Sequence, residues 1–194
     1  MLTAQKEVSQ FGYLYLAASG GWDEEVLVGQ RVLVHSAHGP VAGVFGEKAI
    51  HLMEPEERKK KSELHQLWVD IGAGTRDEAL ESVEIGDSVT MDACFTPLLN
   101  GKAVAKSFDN RSAIFCVSET LRSLKKNLAC TVYGVAAVQE EIGLRGAKAA
   151  THAVDPVVGI AIDVTHAMDI PDVSKKKYGD VKIGGGPVIV RGPN

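Results

Sequence analysis

The sequence predicts a two-part fold, a β-rich half followed by an α/β half. Three observations predict it. Residues 1–100 hold several short β-rich runs separated by glycine-bearing turns, the pattern of a small barrel or sandwich. Apolar residues at 114, 117, 121 and 124 then recur at helical spacing. Finally, "TVYGVAAV" (131–138) and "VVGIAIDV" (157–164) are continuous apolar runs, as expected of parallel strands covered on both faces. The change of pattern places a domain boundary between residues 100 and 101.

Taken in order, "FGYLYLAA" (11–18) reads as a strand that ends at "SGG". "QRVLVHS" and "VAGVFG" flank "AHGP" and read as a hairpin. "EPEERKKKSEL" (54–64) is polar; acids flank its lysine run and no aromatics interleave with it, so it reads as a solvated loop or short helix. "QLWVDIG" (66–72) is a further strand, "RDEALESV" (76–83) a short helix, and "SVTMDACF" (88–95) a strand after the turn "IGD". In the second half, a helix is expected over 110–126 and a small-residue helix over "GLRGAKAATHAV" (143–154), with the two apolar runs as strands. Helix and strand alternating at this spacing imply an α/β unit with right-handed crossovers. "GGGP" (184–187) lacks the Lys-Ser/Thr partner and following helix of a phosphate loop, and reads as a turn.

Composition narrows the function classes. A chain of 194 residues with 45% hydrophobic and 24% charged residues is that of a soluble globular protein. A net charge of -4 gives no basic footprint for nucleic acid. No apolar run is long enough to cross a membrane, and "MLTAQKEVSQ" has no apolar segment behind a basic start. The three cysteines, Cys94, Cys116 and Cys130, are widely spaced with no CxxC pattern. They read as reduced thiols of a cytoplasmic protein.

In open α/β sheets, ligands bind beyond the carboxyl ends of strands, and several acids sit at such ends. Glu140 and Glu141 follow the run 131–138, Asp163 closes the run 157–164, and Asp109 in "SFDNR" precedes a helix. Each has an ordinary alternative: Asp109 as a helix N-cap, the glutamates as a solvated strand exit, Asp163 as a turn former. Singly, the ordinary alternatives are stronger. Together, acids from three segments at one sheet edge point to a divalent cation, which suits hard oxygen donors and relieves carboxylate repulsion. Adjacent acids in extended backbone face opposite ways, so one can ligate while its neighbour serves as general base. The histidines add little. His35, His38, His51 and His65 lie in the β half without ligand spacing and His152 lies in a helix candidate; His166, three residues beyond Asp163, could ligate, but a loop histidine near a strand end is more often polar surface.

"KSFDNR", "VQEEIGLRGA" and "AIDVTHAMDIP" together resemble the cytosolic metallo-aminopeptidases of the glutamyl-aminopeptidase and tetrahedral-aminopeptidase family, some members of which are labelled cellulase or endoglucanase. In the β half, "YLYLAASGGWD", "LVGQRVLV", "HLMEPEERKKK", "LWVDIGA" and "IGDSVT" follow the family's order. The resemblance covers nearly the whole chain, and "EEIGLRGA" is its most specific element. It implies an α/β zinc-peptidase-like core fragment (101–194) plus an inserted small β-barrel-like domain used in assembly (1–100). It further implies two divalent metal ions, zinc or cobalt. Asp109 would bridge them, Glu141 would bind one and Asp163 the other, and Glu140 would be the general base. The implied reaction removes N-terminal residues from a peptide substrate, in a cytoplasmic homo-oligomer joined through the β-rich domain. Nucleic acid and membrane are not expected partners.

The chain departs from the family pattern in its histidine ligands. The His-x-Asp element expected ahead of the insert and a later histidine are both absent. The expectation is therefore a fragment lacking both ends, inactive alone. Two other functions are weighed. A non-catalytic oligomerisation module would use the β half alone. A glycosidase would need two carboxyl groups facing each other across a sugar, about 5–9.5 Å apart, which adjacent Glu140 and Glu141 do not supply.

Overall fold

Alternation of apolar and polar residues builds the first half. In a computed structural model that describes residues 2–190, β1 (Leu2–Val8), β2 (Leu14–Ala18), β3 (Arg31–Ser36), β4 (Gly39–Gly46), β5 (Trp68–Asp70) and β6 (Ser88–Met91) close into a barrel in the order β1-β2-β5-β4-β3-β6. Every neighbouring pair is antiparallel. Residues two apart share a face, so Leu14 and Leu16 of β2 and Val32 and Val34 of β3 turn inward. They meet Val8, Phe45, Val69 and Val89 in one buried cluster. Closure leaves no barrel edge open to a stray strand.

The expected hairpin is present: Ser36 pairs with Gly39, and the Ser36 hydroxyl donates to Gly39 O at 2.8 Å. Farther along β4, a Cβ on Gly43 would lie 2.7 Å from Val69 Cγ1, so only glycine lets β5 pass this close. The helix α1 (Arg76–Ser82) starts at Thr75, whose hydroxyl accepts from Glu78 N–H at 3.2 Å. It adds Ala79 to the barrel core, with Val83 just beyond its end. The lysine-rich stretch is a turn-rich solvated loop pinned by ion pairs Lys48–Glu57, Lys59–Glu56 and Lys61–Glu25.

Several strands are shorter than the sequence suggests. The run 11–18 becomes a strand only at Leu14, because Ser9 N–H donates to Tyr13 O and Gly12 N–H to Ser9 O, closing a turn. The runs 66–72 and 88–95 contract to β5 and β6. β1, which the turn-and-run pattern did not single out, completes the barrel.

The second half departs further from expectation. A two-stranded sheet joins β7 (Thr96–Pro97) to β8 (Ala103–Val104). The expected helices form as α2 (Phe108–Ser123) and α3 (Arg145–Val154), and a short α4 (Lys175–Tyr178) follows. The apolar runs 131–138 and 157–164, however, form no strand among the described residues. A buried parallel strand needs neighbours to take its N–H and C=O groups and helices to cover its side chains. These runs lack that cover: Val157 is fully exposed and Ile160 is 84% exposed. Among the described residues, every buried hydrophobic side chain except Ala113 belongs to the barrel cluster.

The chain divides into two compact units, Met1–Lys106 with Val135–Val157, and Ser107–Gly134 with Val158–Asn194. Within the second unit, Gly134 lies under α2, where a Cβ would come within 3.1 Å of Val117 Cγ1. Among the described residues, no helix is long and apolar enough to cross a membrane.

Candidate active site

In the second unit the start of α2 is irregular. Ser107 has φ 65°, and Asp109 and Asn110 depart from helical φ/ψ, so the regular turns begin after Asn110. The Asp109–Asn110 peptide bond is cis. The N-cap role weighed as the ordinary alternative for Asp109 falls to its neighbour: Asn110 Oδ1 accepts from Ala113 N–H at 3.0 Å. The Asn110 amide nitrogen donates to Ile162 O at 3.2 Å and to Asp163 Oδ1. Val164 N–H donates to the same Oδ1 at 2.7 Å. Thus "FDNR" and "AIDV", 53 residues apart at this contact, meet through one asparagine. Asp109 and Asp163 are both exposed, and Asn110 is half-buried.

In the first unit the two glutamates lie on a tight backbone turn. Gly143 N–H and Leu144 N–H both donate to Glu140 O at 3.0 Å. Arg145 N–H reaches Gln139 O at 3.2 Å and Gly146 N–H reaches Val138 O at 2.9 Å, leading directly into α3. Positive φ at Gln139 (57°), Gly143 (114°) and Leu144 (57°) makes the reversal possible. Glu141 packs on the loop that leaves β2: a Cβ on Gly20 would meet Glu141 Cβ at 3.3 Å. Both glutamates are exposed.

These exposed carboxylates suit a hard divalent cation in donor type. Asp163 in particular takes both its hydrogen bonds on Oδ1, and among the described residues Oδ2 takes none. The number of donors is smaller than a complete centre needs. Among the described residues, no three His, Cys, Asp or Glu side chains stand together to hold a metal ion. Each unit carries one pair of the expected acids, Asp109 and Asp163 in one, Glu140 and Glu141 in the other.

Residues 4–193 match the M42 glutamyl aminopeptidase family. The chain belongs to that family. It is 36% identical over 189 residues to the lysyl aminopeptidase of Pyrococcus furiosus, covering 96% of this chain and 54% of that protein. Among solved structures it is similar to a TET aminopeptidase from the marine sediment archaeon Thaumarchaeota archaeon SCGC AB-539-E09, with TM-score 0.82 and 40% identity, covering 88% of this chain and 49% of that one. It is also similar to the Pyrococcus horikoshii TET1 peptidase, described as assembling into a tetrahedron or a large octahedral shell, with TM-score 0.70 and 28% identity, covering 89% and 53%. The chain spans about half the length of the relatives it matches.

Two residues of this M42 chain escaped the sequence reading. Gly20 was legible only as the "SGG" strand end, although its φ of 103° marks a position that disfavours a side chain. Asn110 sat unnoticed beside Asp109, although an asparagine at a helix start is a familiar capping signal.

Proposed function

We propose that this M42 chain supplies the carboxylates of an aminopeptidase centre that removes N-terminal residues from peptides. The observation that carries the proposal is the Asn110–Asp163 hydrogen bond, which draws two of the three family motifs together within one unit. In this proposal Asp109, Glu141 and Asp163 would be the carboxylates that hold divalent ions, zinc or cobalt. Bound ions of this kind polarise a carbonyl and acidify water. Glu140 takes the proton of the water that attacks the peptide carbonyl and returns it to the departing amine.

Because the donor set lacks nitrogen ligands, the chain by itself is inactive. We assign residues 1–100 to the inserted assembly domain and 101–194 to the peptidase core, and we place the protein in the cytoplasm on its free cysteines. Homo-oligomerisation through the barrel is supported by the shells described for the Pyrococcus horikoshii relative.

The test has two arms. The purified 194-residue chain, supplied with cobalt or zinc, should release no p-nitroaniline from lysyl or leucyl p-nitroanilide above the blank. A chimera in which this chain replaces the matching half of the Pyrococcus furiosus lysyl aminopeptidase should regain metal-dependent turnover. Glu140→Gln in that chimera should lower kcat by about 10²–10⁴. Turnover by the chain alone would overturn the inactivity. An active chimera indifferent to Glu140→Gln would overturn the assignment of the base.

A second reading, an assembly module without catalysis, is favoured by the confinement of buried hydrophobic side chains to the barrel, Ala113 excepted, among the described residues. Light scattering on the chain decides it: a strict monomer at high concentration excludes assembly through the barrel.

A further inference from the structure

We propose that residues 158–164 form a docking surface for a polypeptide carrying the half of an M42 peptidase that this chain does not match. The proposal rests on membership of the family and not on the catalytic reading above.

The run lies in the second unit and leaves two demands unmet. The first is apolar. Val158, Ile160, Ile162 and Val164 are all exposed, and residues 158–164 carry a single charge, Asp163. Apolar surface this contiguous marks a face that something covers. The second is the backbone. Ile162 O takes a hydrogen bond from the Asn110 amide, and Val164 N–H gives one to Asp163 Oδ1. Among the described residues, the N–H and C=O groups of residues 158–161 make none. Open backbone groups between apolar side chains are what an added strand pairs with. Asn110 ties one end of the run to the start of α2, so the open stretch is anchored before any partner arrives.

A second copy is the poorer occupant. It offers the same run, and two such runs pair only as a two-stranded ribbon, which is marginal in water and leaves both faces bare. Cover on both faces takes further strands and helices. The relatives contain such material, because this chain matches only about half of each. In a relative of the same fold, the equivalent run meets the same two demands. The rest of that chain is the material nearest to meet them.

The test compares the full 194-residue chain with the chimera that joins it to the unmatched part of the Pyrococcus furiosus lysyl aminopeptidase. Hydrogen exchange is read at the amides of Val158, Gly159, Ile160 and Ala161, without added metal. In the chain alone they should exchange at the rate of an unstructured peptide. In the chimera they should slow by about 100-fold or more. Ile160→Asp should leave the unfolding of the chain alone unchanged and remove the protection in the chimera. In a second measurement, the unmatched part is co-expressed with the tagged chain and should be captured with it. Fast exchange at these amides in a folded chimera would overturn the proposal. Protection in the chain alone that grows with its concentration would overturn it in favour of a second copy. A chimera that does not fold, together with no capture on co-expression, would also overturn it, since the face would have refused that half in both arrangements. A chimera protected at these amides yet without turnover would uphold the docking and sink the catalytic reading alone.

Discussion

Lys48 holds both carboxylate oxygens of Glu57, at 3.1 and 2.8 Å, and shows what a charge does at an exposed site of this protein. The Lys48 hydrogen bond, helped by Glu54 N–H, keeps the Glu57 carboxyl below the usual carboxylate range. A folded value below the unfolded one gives stability that is present above the ordinary carboxylate range and lost as pH falls through the lowered value. The pair is solvent-exposed, so the contribution is small. Lys48→Met should move the Glu57 titration up toward the ordinary value, with the Glu54 N–H hydrogen bond still holding it lower, read by carbon-13 NMR of its carboxyl. At the candidate site the telling residue is Gly20. A methyl there meets Glu141 Cβ at 3.3 Å and forces a side chain into φ 103°. Gly20→Ala should cost about 1–2 kcal/mol in urea unfolding and shift the Glu141 resonances. The contacts of Gly20 with Glu141 and of Asn110 with Asp163 cannot be read from their neighbours in sequence, because each reaches a residue more than 50 positions away.

Among elements, the barrel strands β2 to β6 were legible and the later apolar runs were misleading, for one physical reason. A period of two declares which side chains of an antiparallel strand turn inward, and β2 and β3 follow it. Leu14, fully buried, should cost about 2–5 kcal/mol on substitution by alanine, measured by chemical denaturation. A continuous apolar run carries no such instruction. It needs neighbours that its own sequence does not contain, and the runs 131–138 and 157–164 form no strand among the described residues. Ile160→Ala, at 84% exposure, should therefore change stability by no more than about 0.5 kcal/mol. The helices were easier, since their hydrogen bonds close within a few residues: α2 and α3 lie within or close to their expected spans.

For the whole molecule, the uneven core predicts uneven stability. Nearly all described burial of apolar side chains lies in the barrel cluster, between Val8 and Val89. Residues 1–106 expressed alone should keep the cooperative unfolding transition of the full chain, followed by circular dichroism. Loss of that transition would mean that the later segments hold the barrel together. By itself the sequence determined five of the six barrel strands, the helices, the motifs that place the chain among M42 peptidases, and the acids worth testing. These are local patterns or ordered motifs, written in consecutive residues. Only the tertiary structure decided that Asn110 grips Asp163, that Gly20 lies against Glu141, and that the apolar runs of the second half stay out of a sheet. Those outcomes depend on which distant groups reach hydrogen-bonding or van der Waals distance, and no local periodicity encodes that.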